Sequence, residues 1–172
     1  YVDLTDILNK AGGKGEPLLV LVLDSLKDPQ NLGTLIRSAE SVGVHGIILP
    51  LRRTATVTPA VVNASSGASE HIYITQANLA RILDQLKENG VWVVGLEGGS
   101  GAHPPDQIDL SGPLAVVVGS EGEGMRKLTR SSCDFLLKLP MRGKVDSLNA
   151  AVAGSIALYL VWQSRAYQGA QN

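Results

Sequence analysis

Ser147-Leu148-Asn149 is the stretch of this 172-residue chain best equipped for chemistry. It follows a polar loop, Met141 to Asp146, that carries Arg142 and Lys144, and it opens a long run without proline. Ser and Asp cap helices because their side-chain oxygens accept the free amide hydrogens of the first turn. A helix is therefore expected to open at Ser147, with Ser147 and Asn149 at a mouth whose amide hydrogens favour a polar or anionic group. Arg142 and Lys144 share that loop and are candidates for phosphate contact. The helix itself is small-residued from Ala150 to Ser155 and apolar on every face from Ile156 to Trp162. Such a helix is expected to be buried, and an ordinary core helix accounts for its body. It does not account for a polar mouth preceded by a basic loop.

Two Gly-rich loops compete for a nucleotide-like ligand. Gly119-Ser120-Glu121-Gly122-Glu123-Gly124 follows an apolar run and opens a short helix, which suits backbone approach to a ligand. Its glycine spacing is not the dinucleotide fingerprint. Glu97-Gly98-Gly99-Ser100-Gly101 looks superficially like an acidic-Gly turn of Rossmann-type methyltransferases, but His103-Pro104-Pro105 disfavours the helix that turn must open. It reads as a surface loop. His45, His71 and His103 show no metal-ligand spacing, Cys133 reads as a structural thiol, and no Ser-His-Asp arrangement can be drawn.

The elements that must position these residues alternate between strand and helix. Leu18–Leu23 is a continuous apolar run, as expected for a strand buried on both faces. A loop through Asp28 to Asn31 leads to a helix with Leu32, Leu35, Ile36, Ala39 and Val42 on its buried stripe and Arg37 at the edge of it. Strands are expected at 46–49, 71–74, 91–96 and 114–118, with helices near 59–66, 79–89 and 125–131, and an apolar run at 135–139 stopped by Pro140. This alternation argues for an α/β fold, a parallel sheet covered by helices on both faces. Ligands then bind at the carboxyl ends of the strands, where Asn31 and Arg37, Arg52 and Arg53, and the 119–124 and 140–149 loops gather.

Bulk composition sets limits. The length suits one well-cored domain. The formal net charge is −1, so nothing global demands nucleic acid or membrane, and any RNA contact needs a local basic patch. One cysteine excludes an internal disulfide and every multi-cysteine metal site, and it fits a reducing cytoplasm. No apolar run reaches the roughly 20 residues of a spanning helix, and no signal peptide opens the chain. Residues 1–17 read as a short helix with a Gly-rich connector, 18–168 as the domain and 169–172 as a tail. Because Tyr1 rather than Met comes first, further sequence upstream is expected.

Three stretches together carry a family resemblance. Asn31-Leu-Gly-Thr-Leu-Ile-Arg37, Gly119-Ser-Glu-Gly-Glu-Gly124 and Leu139-Pro-Met141 through Ser147-Leu-Asn149 resemble, in order, the three motifs of the SpoU-type RNA ribose 2′-O-methyltransferases of the SPOUT superfamily. Residues 60–71 also resemble the segment between motifs in the branch that methylates a guanosine of 23S ribosomal RNA. The resemblance implies a C-terminal trefoil knot, an exception to unknotted topology, and S-adenosylmethionine bound in it. Gly119, Leu139 and Leu148 match the cofactor positions, with Gly124 and Met141 on the same loops. Asn31, Arg37, Glu121, Ser147 and Asn149 match the catalytic and substrate positions, and Arg52, Arg53, Arg142 and Lys144 are the RNA-binding candidates. The family works as a homodimer with the site at the subunit interface. Guanidinium stays protonated, so Arg37 is expected to clamp phosphate and stabilise developing alkoxide charge. Ser147 and Asn149 are expected to orient the ribose, and Glu121 either shapes its loop or meets Arg37. The alternatives are a tRNA ribose methyltransferase and a catalytically idle RNA-binding module in ribosome assembly.

Overall fold

A computed structural model describes residues 1–171; Asn172, the end of the expected tail, lies outside the described residues. Six strands form one parallel sheet: β1 (Leu19–Asp24), β2 (Gly46–Pro50), β3 (Tyr73–Ala77), β4 (Trp92–Leu96), β5 (Leu114–Gly119) and β6 (Phe135–Leu137). Their order in the sheet is β3-β2-β1-β5-β4-β6. The chain starts in the middle, builds outward to β3, then fills the other side, so the order reverses between β1 and β5. In open α/β sheets ligands bind at such a reversal, outside the carboxyl ends of the strands.

Among the described residues, six α-helices cover the sheet: α1 (Leu4–Lys14), α2 (Pro29–Ser41), α3 (Pro59–Ala64), α4 (Leu79–Glu88), α5 (Lys127–Ser131) and α6 (Ala150–Ser164). Successive strand side chains point to opposite faces, and the core divides accordingly. Leu19, Leu21 and Leu23 of β1 join Val116 and Val118 of β5 under α2, α3 and α6. Val20 and Val22 join Ala115 and Val117 under α1 and α4. All six residues of β1 and all six of β5 are buried, which is why both read as apolar runs, broken only by Asp24 at the end of β1. Truncating one of these leucines to alanine costs about 2–5 kcal/mol.

Several boundaries differ from the sequence expectation. The short helix expected within residues 1–17 is α1, but it runs on through Gly12-Gly13, read as connector, and is capped by Gly15 with φ +64. Its Ile7 is fully buried over Gly46, where any Cβ would collide with the Ile7 side chain. The second helix starts earlier than expected: Asp28 caps it, accepting from the Gln30 amide at 2.9 Å, and Pro29 occupies its first turn. Asn31 is therefore helical, not a loop residue. The last helix starts later: Asn149, rather than Ser147, is its cap, with Oδ1 accepting from the amides of Ala151 and Val152 at 2.9 and 3.1 Å. Nor is α6 buried all round. Ala151, Gly154, Ala157, Leu158 and Val161 face the core, but Val152, Ile156 and Tyr159 are more than 40% exposed. Between β6 at the sheet edge and α6 on the α2 side, residues 138–149 cross the carboxyl ends of the strands, the passage the expected trefoil would use.

Candidate functional site

A cleft of about 380 Å³ opens at the carboxyl ends of β4, β5 and β6. Leu96, Val118 and Leu137 form its apolar base where those strands end, and Leu139 and Leu148 close it from the 138–149 crossing. Gly119, the last residue of β5, lies where the loop folds back on the strand. A Cβ there would fall on the Gly124 carbonyl carbon and the Met125 amide nitrogen. Ser120 and Gly124 exchange backbone hydrogen bonds at 3.1 and 3.0 Å, closing the 120–124 loop into a tight partition. Gly122 (φ +81) and Gly124 (φ +73) supply the left-handed turns this needs.

One chain of hydrogen bonds ties the three motifs together at the rim. The Asn31 Nδ2 donates to Glu121 Oε1 at 3.1 Å, and Asn149 Nδ2 donates to Asn31 Oδ1 at 3.2 Å. Glu121 also accepts from the Asp28 and Lys27 amides, at 3.2 and 3.4 Å. Burial works to raise the Glu121 carboxyl, but its own amide, the Asn31 side chain and these two amides outweigh it and hold the group below the ordinary carboxylate value. Within one chain Glu121 is bonded to the start of α2, while Arg37 is bonded to Ser66.

The expected site residues separate into those the fold gathers and those it does not. Gly119, Glu121, Gly124, Leu139, Met141, Ser147, Leu148 and Asn149 all line the cleft. Asn31 is buried behind it, both ends of its amide already bonded. Arg37 is exposed, donates from Nη1 to Ser66 Oγ at 3.2 Å, and does not line the cleft. Arg52, Arg142 and Lys144 are exposed and stand off from it, while Arg53 lines a neighbouring cavity.

Two features are not legible in the sequence. Glu97 and Gly98, from the loop expected to be plain surface, form the outer wall of the cleft. The Gly turn opens no α-helix, only a single 3-10 turn at Pro105–Gln107, but β6 pairs with β4 and brings that loop against the crossing segment. Asp24 is fully buried, with Oδ2 accepting from the Arg126 amide and Oδ1 from Arg126 Nε, both at 2.7 Å. A buried carboxylate persists only when paired and hydrogen-bonded; its one signal is an acid ending an otherwise apolar strand. Cys133 is a structural thiol as expected: burial pushes it up to about 11, and Sγ donates to the Thr129 carbonyl at 3.4 Å.

The family description "SpoU rRNA Methylase" matches residues 18–159, which spans the sheet and the whole cleft. The chain belongs to the SpoU rRNA Methylase family. A Bacillus subtilis protein named for the TrmH family of tRNA/rRNA methyltransferases is 48% identical over 166 residues, covering 96% of this chain. The chain spans 66% of that relative's length. Among solved structures, the SpoU methyltransferase AviRb of Streptomyces viridochromogenes, in complex with AdoMet, superposes with a TM-score of 0.80 at 27% identity, covering 88% of this chain and 62% of AviRb. An AdoMet-bound rRNA methyltransferase of Sinorhizobium meliloti gives 0.80 at 31% identity, covering 90% of this chain and 58% of its own. The six-stranded parallel sheet of this chain, covered on both faces, thus matches the fold of solved SpoU methyltransferases.

Proposed function

We propose that this SpoU-family chain is the catalytic domain of an enzyme that methylates a ribose 2′-oxygen in RNA, using S-adenosylmethionine. The observation that carries the reading is the Glu121–Asn31–Asn149 hydrogen-bond chain at the rim of a cleft floored by Gly119. It fixes three sequence-distant motifs around one opening.

The cleft suits the cofactor. Gly119 lets the 120–124 loop lie directly on the end of β5, which keeps that side of the cleft open, and Leu96, Leu139 and Leu148 offer apolar walls to a nucleoside and a thioether chain. Gly119, Leu139 and Leu148 would hold S-adenosylmethionine, with Gly124 and Met141 bordering it. Once bound, it supplies a methyl group already activated on a sulfonium. The chain's own residues must then align the nucleophile and exclude water. Asn149 has its amide committed to the α6 cap and to Asn31, so it positions. Ser147 is exposed on the rim and is the group free to hydrogen-bond the ribose.

Arg37 points to a homodimer. It cannot clamp a phosphate at a cleft it does not line, whereas a second copy packed on the exposed Val152–Ile156–Tyr159 face would bring its own α2 beside the first copy's rim. The 138–149 crossing is read as the threaded part of a trefoil. The setting is the cytoplasm, where the RNA is.

The substrate favoured by residues 60–71 is a guanosine of 23S ribosomal RNA. Mapping 2′-O-methyl groups in RNA from wild-type and deletion strains tests it. Loss of a single methyl from a 23S guanosine is the expected result. Loss from a tRNA moves the substrate to the other RNA class, and an unchanged methyl map overturns the reading.

A further inference from the structure

A second cavity, of about 230 Å³, lies on the other side of the 120–124 partition, over the end of β1. Ser120 and Gly124 line both cavities, so the loop is a shared wall. We propose that this cavity is an RNA subsite that holds a backbone phosphate of the strand beside the nucleotide being methylated. The proposal rests on the RNA reading above and adds the residues that grip the strand.

Three cations from three elements converge there: Lys27 after β1, Arg53 after β2 and Arg126 before α5. Among the described residues, neither Lys27 nor Arg53 forms an ion pair. Arg126 is held at its backbone amide and Nε by the buried Asp24, which aims the guanidinium and leaves its two terminal nitrogens without a partner among the described residues. A guanidinium fixed from behind with a free fork in front is preorganised for a phosphate. Ser25 (φ 65) and Arg53 (φ 55) both line the cavity, and both hold the left-handed conformation that non-glycine side chains avoid. Such strain, at two residues of one cavity, is what shapes the basic loops around it.

The two cavities are also linked. The Lys27 and Asp28 amides donate to Glu121, the carboxylate on the rim of the first cleft. A strand gripped at Lys27 is therefore gripped beside the Glu121–Asn31–Asn149 chain. Glu123 lines the second cavity too, and its charge opposes a phosphate there. The subsite binds RNA by charge rather than by sequence.

The test uses the full-length protein and a short fluorescein-labelled single-stranded RNA, with anisotropy read between about 50 and about 200 mM salt. The variant is Lys27→Gln with Arg53→Asn, since Asn tolerates the left-handed backbone. Each phosphate of a single strand that the protein no longer neutralises makes the slope of log affinity against log salt shallower by roughly 0.7. Affinity at the upper end of that range should fall about fivefold, and Glu123→Gln alone should tighten binding. Titration with S-adenosylmethionine should give the wild-type affinity, which shows the variant folded. An unchanged slope and affinity in the folded double variant overturns the subsite. If the wild type transfers no methyl to any RNA but the slope still falls, the subsite stands and the methyltransferase reading fails.

Discussion

The Asn149 side-chain amide donates to that of Asn31 at 3.2 Å, joining the first turns of α6 and α2 across 118 residues of sequence. Asn31 passes the connection on to Glu121, so the link between the two ends depends on Asn31. Asn31→Ala should strand the Asn149 donor and remove one donor from Glu121. Both partners are at least partly exposed, so the cost is that of the lost hydrogen bonds, about 0.5–1.5 kcal/mol each. Denaturant unfolding checks the stability. Methyl transfer should fall further than the loss of folded protein explains, because the rim loses its alignment.

Gly119→Ala should be damaging in proportion to how tightly the loop lies on β5. The new methyl meets Gly124 and Met125 backbone, which cannot swing aside as a side chain could. Overpacking of this kind costs about 1–3 kcal/mol. Calorimetric affinity for S-adenosylmethionine should fall by about tenfold, since about 1.4 kcal/mol is a factor of ten. Gly143→Ala, with nothing within 4 Å, is the control and should leave affinity unchanged.

The exposed face of α6 gives a paired prediction about assembly and catalysis. Ile156→Asp places a charge on the face proposed to meet a second copy, so light scattering should shift from dimer to monomer. Methyl transfer should fall with it. Arg37→Lys should leave the dimer and cofactor binding intact but lower turnover, because lysine keeps the charge and loses the planar fork. Near-wild-type turnover in Arg37→Lys would reduce Arg37 to a surface partner of Ser66.

His45 gives a pH dependence. The Leu19 amide donates to its Nδ1 at 2.9 Å, so the other nitrogen carries the proton and donates to Glu16 Oε2 at 2.8 Å. Burial lowers its affinity for a second proton, against the raising effect of Glu16. With the folded value below the unfolded one, the stabilisation is complete above the ordinary value of 6.5 and is lost as pH falls through the lowered one. Unfolding free energy should therefore drop on acidification from pH 6.5 downward. His45→Gln, which keeps a donor and an acceptor without titrating, should flatten that part of the profile.

The alternation of strand and helix is legible in the sequence because buried parallel strands are unbroken apolar runs between glycine and proline punctuation. The sheet order is not, since the β4–β6 pairing is a long-range choice made by packing. That pairing is why Glu97 and Gly98 do not announce themselves: a loop that opens no α-helix can still wall a cleft. The burial of α1 is hidden by glycines that look like a connector but cost only about 1 kcal/mol each inside a helix. Asn31 is legible as a motif residue, but its bond to Asn149 is not. Arg37 is legible only as chemistry, because one chain does not bring it to the cleft.

The most direct measurement is transfer of tritiated methyl from S-adenosylmethionine to two RNAs that differ at one atom, one with the target 2′-hydroxyl and one with 2′-deoxy at that nucleotide. Label on the hydroxyl substrate and none on the deoxy substrate is the predicted result. Label on the deoxy RNA would place the methyl on a base and contradict ribose methylation at the cleft beside Ser147.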